Sequence, residues 1–132
     1  MVPNISSLIT FLYYENLTEA EKFFGTIMQL PVVEDEGWAK VYQISDTAFV
    51  GVVKESKKKQ NPKCENAVLV TFCVEDVAGW YERLKENGVK IIKEVSICAE
   101  LQIVNFFIKG PGNYMFEFIQ YLDPGLKRVF HR

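Results

Sequence analysis

The feature that most constrains the fold is an order of predicted elements that occurs twice along the 132-residue chain. In each half a β-branched and aromatic stretch predicts a strand, a capped amphipathic stretch predicts a helix, and three more strand-forming stretches follow. Residues 12–17 and 72–77 align with each other, the second segment starting 60 residues after the first. Two βαβββ modules explain this pattern. Because residue identity between the halves is weak, chance similarity of two βα units is the alternative.

In the first half, residues 7–14 (SLITFLYY) predict an inner, buried strand, because β-branched and aromatic side chains suit a pleated sheet. Asn16 is a candidate N-cap of the following helix, with Thr18 as a second candidate, and Pro31 is expected to end it. One apolar face at helical spacing comprises Leu17, Ala20, Phe23, Phe24 and Ile27. Three strands are then predicted over residues 32–36, 38–44 and 47–54.

The second half repeats this order. Residues 67–74 predict a strand, Asp76 is a candidate N-cap, and Gly88 stands where a helix end favours a positive φ. Further strands are predicted over residues 89–97, 101–108 and 114–121. We therefore expect one domain over residues 1–132, with module one at 5–54, a linker at 55–65, module two at 66–121 and a tail at 122–132.

Composition and charge indicate which kinds of protein this chain can be. The chain is 48% hydrophobic and 24% charged, which is typical of a globular protein. Its net charge of −2 argues against nucleic-acid binding, and the lysine run 57–59 is expected to be a solvated loop. We expect neither export nor membrane insertion, because residues 1–16 have no positively charged region with a long apolar run, and no stretch reaches about 18 apolar residues. Three cysteines, at spacings that fit neither a zinc motif nor a disulfide framework, favour a reduced, cytoplasmic protein.

Three segments resemble the glyoxalase/bleomycin-resistance, or vicinal oxygen chelate, superfamily. They are residues 12–24 (LYYENLTEAEKFF), 72–91 (FCVEDVAGWYERLKENGVKI) and 110–120 (GPGNYMFEFIQ). The last is similar to the family's closing pattern D-P-x-G-N-x-x-E, with Gly110 in place of Asp and Glu117 in the acidic position. The resemblance implies an α+β fold in which two βαβββ modules form a cupped mixed sheet with helices outside.

In that family, one residue from the first and last strand of each module holds a divalent metal, and these ligands are His, Glu or Gln. Carried onto this sequence, the ligand positions fall at Ile9, Gly51, Leu69 and Glu117. Only Glu117 has a side chain that can bind a metal, and one carboxylate does not hold an ion. We therefore expect no metal and no other cofactor at this site.

Strand alternation predicts which side chains line the cup. Glu117 lies on the opposite sheet face from Phe116 and Phe118, which we expect to face the helices. Applied to the other strands, the same alternation predicts an apolar and aromatic pocket with few polar groups. Its predicted lining is Ile9, Phe11, Tyr13, Phe49, Gly51, Leu69, Thr71, Cys73, Met115 and Glu117. Cys73 has no histidine nearby in sequence to activate its thiol, so we predict no catalytic residue.

The leading hypothesis is a non-catalytic protein of the bleomycin-resistance type that binds a flat or aromatic small molecule and forms a homodimer. An alternative is a metal-dependent lyase, isomerase or dioxygenase in which Glu117 acts with ligands from unexpected positions. Candidates for those ligands are Glu94, Glu100, Gln102 and His131 of the partner subunit. A third hypothesis is an interaction module whose tail, residues 122–132, packs on a partner. The simpler interpretation of that tail is a frayed terminus.

Overall fold

The computed structural model describes residues 5–55 and 68–131. These residues belong to two compact units, Met1–Lys63 and Cys64–Arg132. Each unit contains one four-stranded mixed sheet. The predicted linker lies almost entirely outside the described residues, as do the lysine run 57–59 and Cys64.

The first unit has the predicted βαβββ order. Its elements are β1 (Leu8–Tyr14), α1 (Leu17–Glu21) with a π-helical continuation (Lys22–Ile27), β2 (Val32–Asp35), β3 (Ala39–Gln43) and β4 (Ala48–Lys54). The strand order in the sheet is β1-β4-β3-β2. Strand β1 pairs with β4 in parallel, and the other pairs are antiparallel.

The prediction that the first strand is an inner, buried strand was wrong. Strand β1 lies at an edge of its sheet. Leu12 and Tyr14 are buried, whereas Leu8 and Phe11 are 66% and 45% exposed. Aromatic and β-branched side chains favour a strand wherever one face packs, so they do not specify its position in the sheet.

The helix of the first unit begins as predicted but ends earlier. Asn16 Oδ1 accepts a hydrogen bond from the Thr18 backbone N–H at 2.8 Å, so Asn16 is the N-cap. The apolar face predicted for this helix is fully buried. The helical segment ends at Ile27, and Gln29 then adopts a positive φ of 55°. Pro31 instead begins the return toward the sheet, where its carbonyl accepts from the Gln43 N–H.

The second unit repeats the order of the first. Its elements are β5 (Leu69–Cys73), α2 (Val77–Glu86), β6 (Lys90–Cys98), β7 (Ile103–Lys109), β8 (Met115–Tyr121) and a further helix α3 (Pro124–Phe130). The sheet order is β5-β8-β7-β6, with β5 parallel to β8. Because strand order and strand directions match those of the first unit, the predicted repeat is confirmed as a structural one.

Helix α2 covers one face of the second sheet. Asp76 Oδ1 accepts from the Gly79 N–H at 3.0 Å, and Gly88 has a φ of 76°, as predicted for the helix start and end. The covered face is aromatic: the rings of Phe106 and Phe118 stack with centroids 5.1 Å apart, and Trp80 of α2 packs on Phe118. Phe118 and its neighbour Phe116 therefore face the helix, which leaves Glu117 on the other face.

The C-terminal tail is a helix rather than a frayed terminus. Asp123 Oδ2 caps α3 by accepting from the Leu126 N–H at 3.0 Å. The Phe130 ring stacks on Tyr121 with centroids 4.7 Å apart. The interpretation as a frayed end was wrong because sequence alone did not show that Tyr121 offers a ring for this contact. Within the described part of the chain, no helix combines the length and apolar character needed to cross a membrane.

Candidate functional site

The face of the second sheet that α2 does not cover carries Glu117, and we call it the Glu117 face. On β5 and β8, Leu69 pairs with Met115, and Thr71 pairs with Glu117. Residues that pair directly across two strands share a sheet face. Cys73, two residues beyond Thr71, lies on this face as well. The residues predicted for the second half of the pocket are thus brought together on one surface.

Two neighbouring strands hold the Glu117 carboxylate. Thr71 Oγ1 of β5 donates to Oε1 at 2.9 Å, and Asn105 Nδ2 of β7 donates to Oε2 at 2.9 Å. Each carboxylate oxygen therefore has one protein donor, so the side chain is fixed in position. A part-buried carboxylate held in this way is a defined hydrogen-bond acceptor on the sheet surface.

The network extends from Asn105 to a lysine. Lys93 Nζ of β6 donates to Asn105 Oδ1 at 2.8 Å and to Ser96 Oγ at 2.6 Å. Asn105 is 9% exposed, and it is the one buried polar residue among those described. Sequence reasoning missed Asn105, Lys93 and Ser96. The available signal was a single amide inside the apolar stretch 103–108 (IVNFFI), which a buried strand tolerates only when the amide is hydrogen-bonded.

Apolar side chains flank the network. Leu69 and Met115 are 51% and 40% exposed. Burial first, and the Glu117 charge second, raise the pKa of the Cys73 thiol above its usual value. Cys73 is therefore a protonated thiol near neutral pH and lacks the activation that a nucleophile requires.

The residues predicted for the first half of the pocket share one face of the first sheet. Ile9, Phe11 and Tyr13 of β1 pair with Phe49, Gly51 and Val53 of β4. The Phe11 ring lies over Gly51, in the space that a Cβ atom there would occupy. The structure brings these residues together within their own unit. That they line one cavity with the Glu117 face stays a prediction.

The residues at the family's metal positions do not fit a divalent ion. Ile9, Gly51 and Leu69 offer no donor side chain, and both Glu117 oxygens accept from neutral protein donors. Residues 5–55 and 68–131 contain no group of three or more His, Cys, Asp or Glu side chains placed to hold a metal.

Within one chain the alternative ligands suggested by the sequence do not join Glu117, and the role suggested for His131 of the partner subunit stays a prediction. Glu94 hydrogen-bonds the hydroxyl of Tyr81 on α2, so it lies on the helix side of the sheet. His131 Nε2 accepts from the Tyr121 backbone N–H. Glu100 and Gln102 lie in the turn between β6 and β7.

An open groove of about 350 Å³ lies between α2 and β6. Its lining is Ala78, Tyr81, Glu82, Glu94 and Val95. None of these belongs to the predicted pocket, since the groove is on the helix side of the sheet.

Comparison with known proteins agrees with this architecture. A search of curated proteins finds no match. Solved structures that resemble the chain include TioX from Micromonospora sp. ML1, with a TM-score of 0.75 and 13% identity over 89% of this chain and 99% of that one. A glyoxalase/bleomycin resistance protein/dioxygenase from Nocardioides has a TM-score of 0.73 and 14% identity over 95% and 89%. Lactoylglutathione lyase from Agrobacterium tumefaciens has a TM-score of 0.70 and 17% identity over 89% and 95%.

At these identities the likeness to solved structures shows a shared fold. The family assignment comes from a family model, which matches residues 6–118 and so covers most of the sequence. That match agrees with the repeated βαβββ order and with the segments that resemble the family. The chain belongs to the Glyoxalase/Bleomycin resistance protein/Dioxygenase superfamily.

Proposed function

We propose that this protein is a non-catalytic binding protein of the bleomycin-resistance type, which holds an apolar or aromatic small molecule on the Glu117 face without a metal. The observation that carries the proposal is the set of hydrogen bonds that the Glu117 carboxylate accepts. At the one family ligand position that retains a donor, the carboxylate accepts from the neutral side chains of Thr71 and Asn105, and the described residues place no group of three or more metal-binding side chains there.

The Glu117 carboxylate keeps capacity for a ligand. A carboxylate has about four acceptor positions, of which Thr71 and Asn105 use two. A ligand hydroxyl or amine can donate to the remaining positions. The exposed side chains of Leu69 and Met115 supply apolar contact area beside this anchor. A few fixed polar groups among apolar side chains are typical of small-molecule sites.

The chemistry of the same face supports binding rather than turnover. General acid-base and nucleophilic catalysis require a group that changes protonation or attacks within reach of the substrate. The raised pKa of the Cys73 thiol disfavours the thiolate. The described histidine, His131, already uses Nε2 to accept from the Tyr121 N–H.

The proposal also includes the first sheet. The face formed by Ile9, Phe11, Tyr13, Phe49 and Gly51 is proposed as an apolar contact surface for the ligand.

The protein is proposed to be a homodimer, because edge strand β1 exposes Leu8, and such apolar edges tend to pair. Cys73 and Cys98 are free thiols, which supports the predicted cytoplasmic location.

Thermal unfolding in the presence of a compound library tests the proposal. A ligand at 100 times its Kd stabilises the native state by about 2.7 kcal/mol, which raises Tm by several degrees. We expect aromatic compounds to raise the Tm of the wild type and of Glu86→Gln, a control on the helix side, and to have little effect on Glu117→Gln. A library without any effect, or equal shifts in all three proteins, would overturn the proposal.

Elemental analysis of the same preparations separates the proposal from a metal enzyme. We expect no stoichiometric transition metal in the wild type. Near-stoichiometric zinc, nickel, manganese or iron that is lost in Glu117→Gln would favour the metal-dependent alternative instead.

A further inference from the structure

We infer that the ligand of the Glu117 face is an anion: an aromatic ring with an acidic group that binds Lys93 and a hydrogen-bond donor that binds Glu117. The inference rests on the proposed function, since it names the ligand chemistry of the same face. It comes from the network formed by Glu117, Asn105 and Lys93.

Asn105 holds a cation and an anion at fixed positions on one surface. Its Oδ1 accepts from the Lys93 ammonium at 2.8 Å, and its Nδ2 donates to the Glu117 carboxylate at 2.9 Å. The two charged groups thus orient the amide from both ends. The amide thus lies between the ammonium and the carboxylate and bonds to both.

Lys93 keeps a charge that no described carboxylate neutralises. Its ammonium donates to the neutral oxygens of Asn105 and Ser96. An ammonium group has three donors, so one remains for a further acceptor. The Lys93 residue is exposed, and a ligand therefore reaches the ammonium without displacing a carboxylate. A carboxylate at this position would gain a charge-assisted hydrogen bond.

An aromatic side chain lies between the two charged residues. In the sheet register Phe107 pairs with Lys93 on one side and with Glu117 on the other. Lys93 and Glu117 are thus separated by two strand spacings, about 10 Å between their backbones. The Lys93 ammonium lies 5.8 Å from the centre of the Phe107 ring. A flat ring over Phe107, with polar groups at its two ends, matches this arrangement.

Isothermal titration calorimetry of the full chain tests the inference. The six probes are the three isomers of hydroxybenzoate and the three matching hydroxybenzamides. Acid and amide have the same ring and hydroxyl and differ in charge. We expect at least one acid to bind about tenfold more tightly than its amide, the size of one charge-assisted hydrogen bond. Added salt should weaken binding of the acid more than that of the amide.

Three variants test whether the Lys93 ammonium causes the preference for the acid. Lys93→Met keeps the aliphatic chain and should make acid and amide bind equally, whereas Lys93→Arg should keep the preference for the acid. Lys85→Met removes the same charge from the helix side, where Lys85 lies over Tyr81, and should behave as the wild type. The Tm of each variant confirms that it is folded.

The outcomes distinguish this inference from the proposed function. Equal affinity for acids and amides, or a preference that persists in Lys93→Met, overturns the inference. The inference is also overturned if none of the six probes binds while neutral aromatic compounds raise the Tm. That result would leave the proposed function in place. If neither the probes nor the library bind, the proposed function fails.

Discussion

The Nε2 atom of His131 accepts a hydrogen bond from the backbone N–H of Tyr121 at 2.9 Å. Tyr121 is the last residue of β8, the strand that carries Glu117. The Phe130 ring stacks on the Tyr121 ring, so two consecutive residues of the tail contact the end of this strand. The C-terminal helix is thereby attached to the strand of the candidate site.

His131→Ala should loosen this attachment. A protein hydrogen bond contributes about 1 kcal/mol net, so the Tyr121 amide should exchange with solvent several times faster once its acceptor is lost. Hydrogen exchange followed by NMR measures this. Lys127→Ala, on the same helix, is the control and should leave the Tyr121 amide protected. Unchanged protection in His131→Ala would show that stacking of Phe130 alone holds the tail.

The contact of Phe11 with Gly51 gives a second prediction. A Cβ atom at residue 51 would overlap the Phe11 ring. Because Phe11 is 45% exposed, the ring can turn away. Gly51→Ala should therefore cost about 1 kcal/mol of unfolding free energy, at the low end for overpacking. Gly25→Ala is the control, since its Cβ would meet Tyr42 at an ordinary 3.5 Å.

A double-mutant cycle in chemical denaturation checks the cause. Once Phe11→Ala has removed the ring, Gly51→Ala should cost little more, so the two effects should not be additive. Additive losses would mean that the strain at residue 51 comes from another neighbour.

Local patterns predicted most of the fold. The caps Asn16 and Asp76, the positive φ at Gly88 and the alternation around Glu117 each depend on a few adjacent residues, and all agree with the structure. The edge position of β1 depends instead on which strands pair, and pairing joins residues far apart in sequence. The helix end was misplaced because Gln29 adopts a positive φ, which the sequence does not signal.

The candidate site was predicted only in part, because strand pairing again joins residues that are far apart in sequence. Alternation along single strands placed Thr71 and Glu117 on one face of the sheet. The register of β7 against β8 was needed to bring Asn105 to Glu117, and the register of β6 against β7 to bring Lys93 to Asn105. Neither register is encoded in a short motif, so the charged network became visible only in the folded chain.

Asn105→Leu should destabilise the second unit. The substitution fills the buried site but removes one of the two hydrogen-bond partners of the Glu117 carboxylate and one of the two of the Lys93 ammonium. Loss of a partner for a charged group costs about 1–3 kcal/mol. Denaturant unfolding should show a loss in this range, with a smaller loss for Asn87→Leu, an exposed asparagine at the end of α2. Equal losses would indicate that the network contributes little to stability.

The Cys73 thiol reports the charge of Glu117. Burial and the Glu117 carboxylate both raise the pKa of this thiol, so at a given pH less of it is the reactive thiolate. Alkylation by iodoacetamide, in a background with Cys64→Ser and Cys98→Ser, should therefore reach half its maximal rate at a higher pH than for a free cysteine. Glu117→Gln removes the negative charge, which should lower the Cys73 pKa and speed alkylation at pH 8, while burial keeps the pKa above its ordinary value. Glu86→Gln, on the far side of the sheet, should leave the rate unchanged. If Glu117→Gln also leaves it unchanged, the carboxylate and the thiol do not share the electrostatic environment that the Glu117 face predicts.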